Sequence, residues 1–502
     1  MQRLRPFCRA SRTRRMPRLD ISVDTYLLCD TSRESALTSF RESALIGPPP
    51  TQSTHTKEYF VNISRRKKLA VAIVGAASIA MIATGCSSNT SGTTSSASGS
   101  TITYWASNQS GTTTAADVKI LTPILAHFTK ETGIKVNLEV IGWGDLQNNI
   151  NNAVSSGSGP DVLSIGNTWA PYLAATGAFV PFTGKAATAI GGTSKFIPSA
   201  LATGGLAGQA PTSVPYIGLS YGLFYNKALF AKAGISGPPA TWEDLVTDAK
   251  KLTTGGVEGI GLEAGSYTEN VHFAFITGKQ NGGSWYNAAG KPTFTTAANV
   301  NGVLRYLNLM QDDGVVSKAD AEYSTGTEAS ADFAKGKVAM IVNQNNGNTS
   351  LTADGMSPSA YGVSNIPAPQ GGKQINSGIQ GINLSIFKNS KNQKADLEFI
   401  KFMTGSYAQA AIGRPYGTIP VVKGVKANFA ADKDFMAAFS KVYNTQSAPY
   451  PLVASEGAFE QNVGAAVSGL FATIATGGKV TAADVKAALQ TAQDKVNATA
   501  TQ

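Results

Sequence analysis

Beyond residue 100, short apolar runs with strand periodicity alternate with amphipathic helical stretches, and this rhythm limits the possible folds more than any other feature. Residues 102–106 read as a strand. Thr122 and Pro123 read as an N-cap and first helical position, with Leu125 and Phe128 on one face and Gly133 as the stop. Residues 135–141 alternate as a strand with Val136, Leu138 and Val140 on one side. A helix over 145–155 stops at the turn 157–160, ahead of a short buried strand at 161–165. Strands recur at 222–226, 259–264, 338–342 and 381–387, and helices at 297–311, 327–335 and 392–404. Residues 241–244 open another helix with a capping-box pattern. From Asp432 the chain is nearly all helical, and Thr481 caps the last helix. Roughly 400 residues after position 100 suffice for two domains. The expectation is an α/β fold with a mostly parallel sheet.

The N-terminal part follows different rules. Arg65 to Lys68 are four consecutive cations, an uncharged apolar run extends from Leu69 to Ala83, and Thr84, Gly85 and Cys86 follow. A basic region, a short apolar region and a small-residue cleavage site make a secretory signal. The run is shorter than the ~20 apolar residues that span a bilayer. It resembles a bacterial lipoprotein signal over 65–85, with Cys86 as the lipidated first residue of the mature chain. Ala83 stands where that pattern usually has Leu. Residues 86–100 then read as the lipidated cysteine and an uncharged Ser/Thr/Gly tether. Residues 1–64 are Arg-rich at their start and lack periodicity, which suggests a misassigned start with Val61 as initiator; a genuine extended leader is the alternative.

Dividing the chain there changes its charge. The whole carries 42 Lys+Arg against 32 Asp+Glu, a net of +10, but residues 1–85 hold 14 of the cations and 6 of the anions. The remainder is nearly neutral, which removes the electrostatic case for nucleic acid or an anionic membrane surface as partner. Cys8 and Cys29 lie upstream of the signal, and no cysteine follows Cys86, so the mature chain has neither a disulfide nor a cysteine metal site.

In open α/β sheets, ligands bind beyond the carboxyl ends of the strands. Those ends are Trp105-Ala106-Ser107-Asn108-Gln109, Gly166-Asn167-Thr168-Trp169 and Asn343-Gln344-Asn345-Asn346. Amides, hydroxyls and tryptophan dominate them, and none is charged. Amides donate and accept, and an aromatic face suits the C–H face of a sugar ring. The combination points to a neutral polyhydroxylated ligand, although turn chemistry alone also favours Asn and Ser.

Residues 214–253, VPYIGLSYGLFYNKALFAKAGISGPPATWEDLVTDAKKLT, carry a family resemblance. The run Tyr225-Asn226-Lys227, residues 230–234 and residues 239–245 resemble the most distinctive segment of the extracellular solute-binding proteins of bacterial ABC importers. The similarity is to the sugar-binding branch that includes maltose-binding protein. FTKETGIKVNLEVI, SGSGPDVLSI, NGGSWYN, DFAKGKVAMI, GIQGINLSIFKNS and RPYGTIPV extend it over nearly all of the mature chain. The resemblance implies two α/β lobes joined by crossing strands, with the ligand in the cleft between them. Crossings would fall near 215–218, 366–377 and 414–420, with 101–215 plus 373–413 as one lobe and 219–366 plus 420–502 as the other. Implied ligand contacts are Trp105, Ser107, Asn108, Asn167, Thr168 and Trp169 from the first lobe. Tyr216, Ser220 and Tyr221 lie near the hinge, Asn270, His272 and Asn346 in the second lobe, and Gly381 and Tyr416 near the later crossings. Asn346 stands where relatives often place a stacking tryptophan, which implies a smaller or differently oriented ligand. The implied partners are a mono- or oligosaccharide and ABC permease subunits with a cytoplasmic ATPase, with the chain a lipid-anchored monomer on the outer face of the cytoplasmic membrane. No cofactor and no metal are implied.

Other motifs compete less well. Gly218-Leu219-Ser220-Tyr221-Gly222 matches the G-x-S-x-G elbow of hydrolases, which needs a helix after the serine. Here a strand pattern follows, and a tight crossing that needs glycine is the better reading. His127, beside Phe128, is assigned to the surface or to packing. Trp143 and Trp242 each open an amphipathic helix and are assigned to packing. No phosphate loop, dinucleotide fingerprint or Cys/His cluster is present. Glycosidases need two carboxyl groups flanking one bond, and none of the three loops has Asp or Glu. Binding is therefore expected over catalysis; a non-sugar solute on the same fold and a secreted carbohydrate-active enzyme are the alternatives.

Overall fold

The computed structural model describes residues 97–426 and 433–500. The leader, the signal-like segment, Cys86 and residues 87–96 lie outside them. Of the last tether residues, Ala97 is buried, and the exposed Gly99 donates its amide to Gly133 O (3.0 Å).

The described residues form ten strands: β1 (Thr101–Ser107), β2 (Lys135–Ile141), β3 (Val162–Gly166), β4 (Val214–Leu219), β5 (Tyr221–Asn226), β6 (Met340–Gln344), β7 (Tyr361–Ser364), β8 (Ser377–Gly378), β9 (Gln380–Ile386) and β10 (Ser447–Ala448). One sheet has the order β2-β1-β3-β9-β4, a second β6-β5-β7, and β8 pairs with β10. The expected mostly parallel sheet is corrected. In the first sheet only β1–β2 and β1–β3 are parallel, β9 runs antiparallel to both its neighbours, and the second sheet is wholly antiparallel. The direction of entry explains it. β1 and β3 end at the cavity described below, whereas β9 begins there and runs away from it.

Every residue of β3 and β9 is buried, as expected of central strands covered on both faces. β1 instead alternates, burying Ile102, Tyr104 and Ala106. Tyr104 packs on Phe399 (ring centroids 4.9 Å), and Phe128 packs on Phe399 (5.4 Å), so helices Thr114–Thr132 and Gln393–Met403 share one core. The first of these begins well before the expected Thr122–Pro123 start. Thr113 is its N-cap, accepting from the Ala116 amide, and Pro123 lies inside it. Burial of Leu121, Ile124, Leu125 and Phe128 holds the helix through the proline.

A second hydrophobic core is built around helix Tyr267–Gln280, in which ten of 14 residues are buried. Because it is buried on nearly all sides, polar residues included, no 3.6-residue apolar stripe marks it in the sequence. Helix Glu456–Ala475 packs along it. Gly464 permits the approach: a Cβ there would lie 2.1 Å from Tyr267 O. The strand expected at 259–264 is corrected to isolated bridges, Glu258–Val338 and Gly261–Ile341, because Gly259 sits tight against the end of helix Trp242–Leu252.

The chain passes between the sheets at Ser220, which separates β4 from β5. Asn345 Oδ1 accepts from the Ser220 amide (2.7 Å), and its Nδ2 donates to Gly417 O (2.6 Å). The segment expected to cross from residue 414 remains helical through Tyr416 and turns at Gly417, where φ is 58°. Ile419 then exchanges backbone hydrogen bonds with Gly218 (3.0 and 2.9 Å).

Candidate ligand-binding cleft

The ends of β1 and β3 form one wall of a cavity of about 720 Å³, a volume typical of small-molecule sites. Asn108, Gln109, Asn167, Thr168, Trp143 and Trp169 line this wall, and Gln380 and Gly381 complete it. Asp117, buried in the first turn of its helix, holds the first loop in place. Its carboxylate accepts from the Gln109 amide (2.9 Å), the Ser110 amide (3.1 Å) and Ser110 Oγ (2.8 Å).

The facing wall is different in kind. It combines the loop 324–327, Asn343, Gln344 and Asn346 with the N-terminal turn of helix Tyr267–Gln280 and Glu460 of helix Glu456–Ala475. Ser266 caps that turn, accepting from the Glu269 amide. Tyr221 OH donates to Glu269 Oε2 (2.8 Å) and lies 2.8 Å from His272 Nδ1. With its one proton on Glu269, Tyr221 accepts from His272 Nδ1–H. Nε2 lies 3.6 Å from Glu460 Oε1. Across the cleft, Trp169 Nε1–H donates to Glu460 Oε2 (2.7 Å). A line of polar groups thus runs from Glu269 to Trp169, its two hydrogen-bonded ends meeting at the His272–Glu460 contact. Burial raises the Glu269 carboxyl, and it holds Glu456, one turn before Glu460, well above the usual carboxylate range.

Of the fourteen residues expected to touch a ligand, Asn108, Asn167, Thr168, Trp169, His272, Asn346 and Gly381 line the cavity. The other seven do not. Trp105 is half-buried against Leu163 on β3, and Ser107 accepts from Gln109 Nε2 (3.2 Å) behind the loop. Tyr216 and Tyr416 are buried in the first core. Ser220 Oγ donates to Phe439 O (3.0 Å), which leaves it unavailable as a nucleophile and removes the elbow reading. Tyr221 stands directly behind Glu269 and His272 and positions both. Asn270 Nδ2 donates to Ala264 O (2.8 Å) and Ser468 Oγ (2.9 Å), tying helices together away from the cleft.

Two tryptophans line the cavity, and their exposures differ from the roles read from the sequence. Trp143, assigned to packing, is 37% exposed at the cavity, with Nε1–H donating to Asn108 O (2.7 Å). Trp169, expected as the ligand-facing aromatic, is only 3% exposed and sits among Leu146, Ile150, Leu163 and Leu173. The rings meet edge to face at 5.4 Å. The inference of an uncharged cleft is corrected too: the three loops carry no charge, but Glu269 and Glu460 stand opposite them. A serine three residues ahead of Glu269, and two glutamates four apart in an otherwise uncharged helix, were the available signals. Trp242 is buried, as assigned, and His127 stacks on Tyr407 at the surface (4.0 Å). Among the described residues no group of His, Cys, Asp and Glu is arranged to hold a metal, and no helix is long and apolar enough to cross a membrane.

Known proteins match this chain in sequence and in fold. The family of bacterial extracellular solute-binding proteins matches residues 111–410. The chain belongs to that family. It is 24% identical over 309 residues to the diacetylchitobiose binding protein DasA of Streptomyces coelicolor, covering 60% of this chain and 69% of that one. It is 27% identical over 236 residues to the sn-glycerol-3-phosphate-binding periplasmic protein UgpB of Rhizobium meliloti, covering 45% and 53%. Among solved structures, the GacH receptor of Streptomyces glaucescens superposes with a TM-score of 0.67 at 23% identity, covering 79% of this chain and 98% of that one. The fold is accordingly the two-lobe binding-protein fold, and both family and fold are those of binding proteins.

Proposed function

We propose that this protein is the capture subunit of an ABC importer, closing its two lobes on a carbohydrate and delivering it to a membrane permease served by a cytoplasmic ATPase. The observation that carries the reading is the wall of amides and indoles, Asn108, Gln109, Asn167 and Trp143, set across a cavity from hydroxyl- and amide-bearing loops. Amides match the mixed donors and acceptors of a sugar, and the exposed indole offers a face to its C–H groups. Similarity to DasA and GacH, whose descriptions name diacetylchitobiose and acarbose, supports a saccharide. The protein acts as a binder without catalysis. On this reading 101–215 with 373–413 and 219–366 with 420–502 are the clamping lobes, and a lipid on Cys86 holds them outside the cytoplasmic membrane. A thermal-shift screen of the purified protein against a sugar library tests the ligand class, since a ligand of the native state alone raises the melting temperature. A shift with no sugar, but with an amino acid or an oligopeptide, would overturn it. Cys86→Ser should abolish labelling by a fatty-acid analogue; unchanged labelling would remove the anchor.

A further inference from the structure

The loop 324–327 lines the facing wall of the cavity but lies outside every helix and strand, so something other than a backbone ladder must fix its shape. One carboxylate does. Glu328, at the start of helix Glu328–Ala334, accepts from the Thr325 amide (3.2 Å), Thr325 Oγ1 (2.6 Å) and the Thr327 amide (3.2 Å). Thr325 Oγ1 has thereby committed its proton, and Thr327 Oγ1 donates to it across 2.8 Å.

Glu328 is held in turn by a second acid. Glu263 is only 8% exposed, and its Oε1 accepts from the Ala329 amide (2.9 Å). Its Oε2 receives no donor, and the Glu328 carboxyl lies within hydrogen-bonding reach. Two carboxyl groups can share a hydrogen bond only if one carries a proton. Glu263 is that one: burial, with Glu328 beside it, pushes its carboxyl up to about 9. Against the cost of its own burial, hydrogen bonds from Thr325 and Glu263 hold Glu328 down to about 2. Nothing nearby can replace the proton. Glu269 and Tyr306, which also face Glu263, bring no positive charge, and residues 341–343 of β6 carry no titratable group. The cavity of about 20 Å³ behind Gly326 has room for a single water. An ionised Glu263 would be a poorly solvated charge set against Glu328. Glu328 is half-buried and can move away only by dropping Thr325 and Thr327.

Building on the carbohydrate reading above, we propose that the loop 324–327 grips the bound sugar, and that Glu328 and Glu263 are positioning residues that hold it through one shared proton. When that proton passes to solvent, the two carboxylates part and the loop is released. The hold is full below the ordinary glutamate value near 4.5, where Glu263 is protonated in either arrangement. It weakens as pH rises to about 9 and levels off beyond.

Titration calorimetry at pH 6 and pH 9, with the sugar that gives the largest thermal shift, tests the grip. Affinity of the unaltered protein should fall about 10–100-fold between them, the scale of the charge-assisted hydrogen bonds that the loop loses. Glu263→Gln keeps a donor for Glu328 and an acceptor for the Ala329 amide at every pH, so its affinity should stay near the pH 6 value. Titration of Glu269, His272 and Glu460 is common to both proteins and cancels in the comparison. Parallel pH profiles would overturn the inference while leaving carbohydrate capture intact. The hold itself is read without ligand. Amide hydrogen exchange over residues 322–330, corrected for intrinsic rates, should lose protection at pH 9 in the unaltered protein and keep it in Glu263→Gln. Equal protection at both pH values in the unaltered protein would overturn the shared proton, even if Glu263→Gln does not fold. Silence from every sugar at both pH values would overturn the carbohydrate reading and the grip with it, whatever the exchange shows.

Discussion

Trp169 is the residue at which packing and recognition can be separated by substitution. Its indole is 3% exposed among Leu146, Ile150, Leu163 and Leu173, and its Nε1–H reaches across the cleft to Glu460 Oε2 at 2.7 Å. Trp169→Ala removes the ring from a packed cluster, so it should cost the ligand-free protein about 3–5 kcal/mol of stability. Trp169→Phe keeps most of the apolar volume and deletes the donor. A hydrogen bond to a charged group is worth about 1.5–3 kcal/mol, and Glu460 would keep only its contact with His272 Nε2 (3.6 Å). Because that bond joins the two walls, its loss falls on the closed arrangement and not on either lobe alone. An open–closed equilibrium shifted by that amount weakens apparent affinity by roughly 10–150-fold, at tenfold per 1.4 kcal/mol. Titration calorimetry with the best sugar, beside melting curves of the ligand-free variants, reads both effects. Trp169→Phe should lose affinity with little change in melting, and Trp169→Ala should lose both. Wild-type affinity in Trp169→Phe would refute the cross-cleft role of the bond. Unchanged melting in Trp169→Ala would refute the packing argument.

Trp143→Ala should weaken sugar binding by roughly 5–150-fold, for about 1–3 kcal/mol of stacking and burial, while ligand-free melting barely moves; a large melting change with intact affinity would return Trp143 to a packing role. Small-angle scattering should give a smaller radius of gyration with a saturating sugar than without, since a ligand touching both lobes favours the closed state, and an unchanged profile would rule out the clamp. Burial pushes the Asp396 carboxyl up to about 7, with the Ser390 hydrogen bond opposing and Asp161 adding to the rise. A raised folded-state value means its contribution to stability is present below the unfolded pKa near 3.8 and lost as pH rises through about 7. Asp396→Asn should therefore flatten the fall in stability between pH 4 and 7 seen by chemical denaturation; an unaltered slope would exclude Asp396 as its source.

What the sequence made legible and what it hid divide along physical lines. β1, β2 and β3 with their following loops were readable because each is a short strand, partly patterned, that ends in polar turn residues, and strand ends point at clefts. That placed Asn108, Asn167 and Thr168 at the cavity without any knowledge of their neighbours. Helix Tyr267–Gln280 was not readable, because burial on nearly every side removes the amphipathic stripe that reveals a surface helix. With it went Glu269, while His272 was reached only through family resemblance. Glu460 was hidden for a second reason: it lies some 290 positions from Trp169, and only the packing of helix Glu456–Ala475 against the far wall brings them to 2.7 Å. Local periodicity cannot report a contact of that kind. The difference in exposure between Trp143 and Trp169 has the same origin. Both open helical turns after polar loops, and their patterns are alike, yet one indole found a buried carboxylate and the other found Asn108 O at the rim. A tryptophan has one donor and a large apolar body, so the position of the nearest acceptor decides whether the ring is pulled into the wall or left facing the cleft. That acceptor, Glu460, stands on the facing wall, far along the chain from both tryptophans, so nothing near either of them in the sequence reports it.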